Sequence, residues 1–224
     1  MMSPMNAPSD PHSELPSLIE GVPLAQAAFA LVLVHGRGGT AEGMLPIARN
    51  AGATDAALIA PRASGGTWYP NRFLDAMASN EPFLTSALAA VHRAIRDVNA
   101  AGIPTERIVL VGFSQGACLA LEYAARNARR YGGIAALSGA LIGDAHDQRH
   151  DAGHFADTPI LLACGDTDGH IPEARVRASA TLLAAQGAAI DLRIYPGVEH
   201  TIVADQLDAL RAMCDVVRSH ARAE

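Results

Sequence analysis

The sequence predicts an α/β protein: a mostly parallel central sheet with helices on both faces. Short β-rich runs alternate along the chain with amphipathic helical patterns, the order expected of successive βαβ units. Most of those runs are apolar throughout, as strands covered on both faces require. The 224 residues are 50% apolar and 18% charged, which suits one sizeable core and speaks against disorder.

Taken in order, Met1 to Pro16 is rich in Pro and Ser and lacks a basic n-region or an apolar h-region. Residues 1–16 therefore read as a loose tail rather than a signal peptide, and 17–224 as a single domain. Strands are expected over Phe29–Val34, Ala57–Ala60, Arg107–Val111, Ile134–Ser138, Ile160–Cys164 and Ile190–Tyr195. In the last, Ile190, Leu192 and Ile194 alternate with Asp191 and Arg193, which suits a strand near the sheet edge. A helix is expected over Pro82 to Ala100, with Leu84, Leu88, Val91, Ile95 and Val98 on one stripe. Asn80 is its expected N-cap, Pro82 suits the first turn, and Gly102 and Pro104 end it. Arg126, Arg129 and Arg130 mark another helix C-terminus, where cations suit the dipole. A last helix carries Val203, Leu207, Leu210, Cys214 and Val217.

Composition excludes several functions. The formal net charge is −6, and the basic residues are mostly scattered arginines, unlike a phosphate-binding surface, so no nucleic-acid partner is expected. The longest apolar stretch, Ala27 to Val34, falls far short of the roughly 20 residues a bilayer crossing needs. Cys118, Cys164 and Cys214 each sit in an apolar element and read as buried thiols, which points to the cytoplasm.

Chemistry concentrates where strands end. Gly112-Phe113-Ser114-Gln115-Gly116 follows the apolar run at 107–111 and precedes a helical pattern. Strand, sharp turn and helix with serine at the apex is the setting of a nucleophile elbow; a glycine-rich packing turn is the plainer alternative. After the strand at 29–34, His35-Gly36-Arg37-Gly38-Gly39 suits an oxyanion loop, with the N–H of Arg37 as one donor and that of Gln115 as the second. It lacks the lysine and glycine pattern of a phosphate loop, and His35 reads as a brace rather than a base. Asp166 and Asp168 follow the strand at 160–164, and either could orient a histidine. His200 follows the strand at 190–195, completing the order Ser, Asp, His.

On these residues the chain resembles the phospholipase/carboxylesterase family of the α/β-hydrolase superfamily, the small carboxylesterases and acyl-protein thioesterases. The matching pieces include Leu33-Val34-His35-Gly36, Ala60-Pro61-Arg62-Ala63, Trp68-Tyr69, the pentapeptide around Ser114, Leu137-Ser138-Gly139, Gly165–Pro172, and Tyr195-Pro196-Gly197 with His200. The resemblance implies an α/β-hydrolase fold with no large lid domain, and a catalytic set of Ser114, Asp168 and His200. The choice of Asp168 over Asp166 comes from the family pattern alone. Arg37 stands where acyl-protein thioesterase members usually carry an apolar residue. Its side chain is expected to point to solvent, with contact to an anionic part of a substrate as the alternative. Trp68, Arg37 and His170 are the pocket candidates; a core position is the alternative for Trp68.

The expected activity is a serine carboxylesterase on small to medium acyl esters, with an acyl thioesterase or lysophospholipase as the alternative. A non-catalytic small-molecule-binding module is the minor one. No cofactor is implied, and a monomer or homodimer is expected. His146, His150 and His154, beside Asp144, Asp147 and Asp151, have helical spacing that could hold a metal. Gly143 and Gly153 interrupt the stretch, so a solvated loop or short helix is the preferred reading.

Overall fold

The apolar runs become strands of one sheet. The computed structural model describes residues 10–149 and 151–223. Its order is β1 (Leu18–Gly21), β2 (Ala30–Val34), α1 (Ala41–Asn50), β3 (Ala57–Ala60), α2 (Phe83–Ala100), β4 (Ile108–Phe113) and α3 (Gln115–Arg126). There follow β5 (Gly133–Leu137), β6 (Pro159–Gly165), α4 (Glu173–Ala185), β7 (Ala189–Tyr195) and α5 (Ala204–Ala223). The sheet order is β1-β3-β2-β4-β5-β6-β7, antiparallel between β1 and β3 and parallel elsewhere.

Both faces of this sheet are covered. Along β2, Leu31 and Leu33 pack with Met44, Leu45, Leu210 and Cys214 of α1 and α5, while Ala30, Val32 and Val34 face the opposite core. That second core gathers the apolar faces of α2, α3 and α4. Period two is therefore kept inside runs that are buried on both sides, which is why composition alone hides it. β7 ends the sheet and is only half-buried, as its alternation predicts. All three cysteines are free and buried. Among the described residues no helix is long and apolar enough to cross a membrane.

One strand was not expected, and two expectations need correction. β1 has no counterpart in the sequence reading, because its four residues carry no apolar run and are largely exposed. Backbone bonding to β3 makes it a strand. Asn80 does not cap α2: the cap position is Pro82, and the Asn80 side chain accepts from the Asn71 N–H (2.8 Å) and donates to the Arg72 carbonyl (3.3 Å). The helix starts too late for Asn80 to reach its first amides, so the amide group serves the loop instead. Of the expected tail, the part within the described residues includes His12, which is fully buried. Its ring accepts from the Ser64 N–H (3.0 Å) and contacts the Trp68 carbonyl (3.0 Å), and its backbone N–H donates to Ser86 Oγ (2.9 Å).

The His/Asp-rich stretch is a loop over its described residues, and His150 lies outside them. Its acids serve the loop itself: Asp144 accepts from the N–H groups of His146 and Asp147, and Asp147 from those of Met77 and Asp144. Arg149 bridges Asp151 (2.6 Å) and the buried Glu122 (3.1 Å), which also holds Arg126 (2.7 Å). Among the described residues no three His, Cys, Asp or Glu side chains form a group suited to a metal ion.

A tight passage lies between α3 and β2. A Cβ on Gly116 would collide with the carbonyl oxygens of Val34 and His35, and one on Gly112 with the backbone of Gly116 and Ala117. Neither end can move without opening the sheet–helix contact. Gly116→Ala is expected to lower stability by about 1–3 kcal/mol, seen as a reduced urea midpoint at unchanged slope.

Candidate active site

Because the central strands are parallel, their carboxyl ends share one edge, and the loops leaving β2, β4, β6 and β7 meet there. β4 runs straight into Ser114, whose backbone has φ 55° and ψ −123°. That left-handed conformation costs a non-glycine residue about 1–3 kcal/mol. It is held from both sides, by the Ser114 N–H to the Leu137 carbonyl (3.0 Å) and the Cys118 N–H to the Ser114 carbonyl (3.0 Å).

His200 Nε2 lies 2.7 Å from Ser114 Oγ, and His200 Nδ1 lies 2.6 Å from Asp168 Oδ2. The other oxygen of Asp168 accepts the N–H groups of His170 (2.8 Å) and Ile171 (3.0 Å). The Asp168 side chain is fully buried. Burial works to raise its pKa, but the bonds from His200, His170 and Ile171 outweigh that and hold it below the usual carboxylate value. Asp166 is turned away and accepts the Gly197 N–H (2.7 Å), which shapes the loop after β7. Asp168 is thus the aspartate brought to His200.

The loop after β2 presses on the elbow, with the Gly36 Cα hydrogens facing the Ser114 Cβ. Among the described residues, no acceptor bonds the N–H of Arg37 or of Gln115. His35 sits below them: Nδ1 donates to the Gly36 carbonyl (2.8 Å) and Nε2 accepts the Ala63 N–H (3.2 Å). Burial lowers its pKa, with the bond to Gly36 opposing, and the two contacts suit a neutral ring that braces the loop.

A cavity of about 560 Å³ opens over Ser114 and His200. Tyr69, Asn71, Arg72 and Phe73 form one wall, and His170 and Ile171 stand across from it. His170 packs edge-on against the His200 ring at 4.8 Å. Trp68 does not line the cavity: it is fully buried, donates Nε1–H to the His35 carbonyl (2.7 Å) and packs on the His35 ring. Its indole N–H finds its acceptor in the core, so the wall falls to the next residue, Tyr69. Arg37 is exposed and borders the cavity, and its side chain is engaged by backbone rather than free in solvent. Its guanidinium donates to the carbonyls of Tyr69 (3.0 Å), Pro70 (2.8 Å) and Asn71 (2.6 Å). The Gln115 side chain, which the sequence did not single out, holds the same segment by accepting the Trp68 N–H (3.0 Å) and donating to the Tyr69 carbonyl (2.8 Å).

A hydroxyl bonded to an imidazole, itself bonded to a buried carboxylate, has a proton path away from oxygen. Two unengaged amides beside it can face a developing anion. A sequence profile of the phospholipase/carboxylesterase family matches residues 22–217. The chain belongs to that family. It is 40% identical to a family member from Dyadobacter fermentans, whose crystal structure superposes with a TM-score of 0.86 over 94% of this chain and 98% of that one. The structure of esterase PE8 is 26% identical, with a TM-score of 0.76 over 91% of this chain and 99% of that one. Acyl-protein thioesterase 1 of Gibberella zeae is 33% identical over 123 residues, 54% of this chain and 52% of that protein. The chain thus spans about half the length of this relative.

The lowered pKa of Asp168 makes a stability prediction. A carboxylate whose folded pKa is depressed adds stability above its unfolded value, and that stability is lost as pH falls through the folded one. The wild-type advantage over Asp168→Asn is therefore expected to be full at neutral pH and to narrow below the ordinary value of 3.8. Urea midpoints of both proteins between pH 3 and 7 check it; a difference independent of pH would contradict it.

Proposed function

We propose that the protein is a serine carboxylesterase acting on small to medium acyl esters. The observation that carries this reading is the continuous hydrogen-bonded path from Ser114 Oγ through His200 to the buried Asp168. In the proposed reaction His200 Nε2 takes the hydroxyl proton as Ser114 attacks the ester carbonyl. Asp168 fixes the tautomer of the ring and stabilises the imidazolium. The oxyanion of the tetrahedral intermediate accepts from the N–H groups of Arg37 and Gln115. Collapse expels the alcohol, which receives its proton from His200 and leaves Ser114 acylated. Water, deprotonated by the same imidazole, then attacks the acyl-enzyme; the acid leaves, and the serine regains its proton.

A bounded cavity of about 560 Å³ with several polar side chains supports short acyl groups. A second reading, an acyl thioesterase, is supported by relatives named acyl-protein thioesterase. The same machinery would serve a thiol leaving group, and matched esters and thioesters over a chain-length series separate the two. Three buried free thiols fit a reducing compartment such as the cytoplasm.

Ser114→Ala is expected to leave the fold intact and lower kcat for p-nitrophenyl butyrate by a factor on the order of 10⁴–10⁶. A fluorophosphonate should label the wild-type serine once and the variant not at all. Turnover unchanged in the variant would sink the reading.

A further inference from the structure

The oxyanion loop has a physical problem of its own. Arg37 stands between Gly36 and the pair Gly38-Gly39, a composition that fixes the backbone poorly. An oxyanion donor is effective only when held at the position where charge develops. Bonds hold the neighbours of Arg37, from Gly38 N–H to the Gly66 carbonyl (2.8 Å), from Gly39 N–H to the Gly36 carbonyl (3.0 Å) and from His35 to that same carbonyl, but among the described residues none holds the Arg37 N–H itself.

The side chains of the two donor residues supply a further hold. Arg37 Nη2 and Gln115 Nε2 both donate to one acceptor, the Tyr69 carbonyl, at 3.0 and 2.8 Å. Arg37 also holds the next two carbonyls, and Gln115 Oε1 takes the preceding N–H, that of Trp68. The gripped segment is itself anchored from behind. The Asn71 N–H donates to Asn80 Oδ1 (2.8 Å), and Asn71 Nδ2 donates to the Ser79 carbonyl (2.7 Å). A closed loop of bonds thus runs from one N–H donor, through the Arg37 side chain, Tyr69 oxygen and Gln115 side chain, to the other.

We propose that Arg37 and Gln115 are positioning residues whose side chains set the spacing of the two oxyanion amides by gripping the Tyr69 carbonyl. This rests on the oxyanion role proposed for those amides. It ties the donors to the wall of the cavity, since Tyr69 to Phe73 line it. A substrate group that pushes this wall outward pulls on both donors, so a poor fit is felt in the transition state. Discrimination between acyl or alcohol groups then appears in kcat rather than in KM.

The test uses Arg37→Met, Gln115→Met, their double variant and Arg37→Lys, all of which keep the backbone N–H groups. Steady-state rates with p-nitrophenyl butyrate are set against inhibition by a trifluoromethyl ketone, which forms the tetrahedral adduct on serine. Each Met variant is expected to lose roughly 10- to 100-fold in kcat with KM within about threefold. Inhibitor affinity should fall in step with kcat/KM, and Arg37→Lys should recover part of it. The double variant should lose less than the product of the singles, because both arms end on one oxygen. A raised KM at unchanged kcat, fully multiplicative losses, or wild-type kinetics in folded Arg37→Met would each overturn the proposal. Should Gln115→Met not fold, the exposed Arg37 variants, checked by thermal midpoint, decide it alone. Absence of Ser114-dependent turnover in the wild type would instead remove the esterase reading, which keeps the two failures apart.

Discussion

The close crossing of α3 over the end of β2 is the constraint on which the site depends. Gly116 lets the first turn of the helix rest against the Val34 and His35 carbonyls, and Gly112 lets the strand turn back under it. With both ends held, the residue between them has no relaxed conformation available, and Ser114 takes a left-handed one. Its hydroxyl is then raised above the strand edge. The same crossing brings the Arg37 and Gln115 amides, which belong to different elements, to adjoining positions. Sterics at two glycines thereby settle the serine and bring the two amides near it.

Around this point the loops are held by side chains bonded to backbone as well as by the packing of Trp68, Tyr69, Phe73 and Ile171 in the core. Arg37, Gln115, Asn80, Asp166 and His12 each satisfy backbone groups of a neighbouring loop. A single such bond contributes only about 1 kcal/mol net, but a missing one leaves a loop polar group without its partner. A polar frame of this kind holds loop backbone in place while leaving a cavity above it. The charged residues scattered over the sequence are in part this framework. Arg37 shows the point, because its cation is engaged by three carbonyls where an apolar residue could make none of those bonds.

The fold was largely readable because its signals are local. Strands buried on both faces announce themselves as short apolar runs, and α2 carries an unbroken helical stripe. β1 escaped notice because an exposed edge strand needs no apolar residues, only a neighbour to bond with. Asn80 looked like a cap by its place before a helix, and the helix began beyond its reach. Trp68 looked like a pocket residue by its neighbourhood in the chain, and its indole instead found an acceptor in the core.

By itself the sequence determined the α/β class, the order of the buried strands, the family resemblance, and a Ser, Asp, His succession in which the resemblance alone favoured Asp168. Periodicity and glycine spacing act over a few residues, so one chain read from end to end displays them. Tertiary structure alone decided that Asp168 meets His200 while Asp166 holds a loop, that Trp68 is core and Tyr69 wall, and that Arg37 grips the segment at 69–71. The physical reason is distance along the chain. Ser114 and His200 are 86 positions apart, and Arg37 reaches carbonyls 32 to 34 positions away. Hydrogen bonds of that kind depend on directions that only the folded sheet sets.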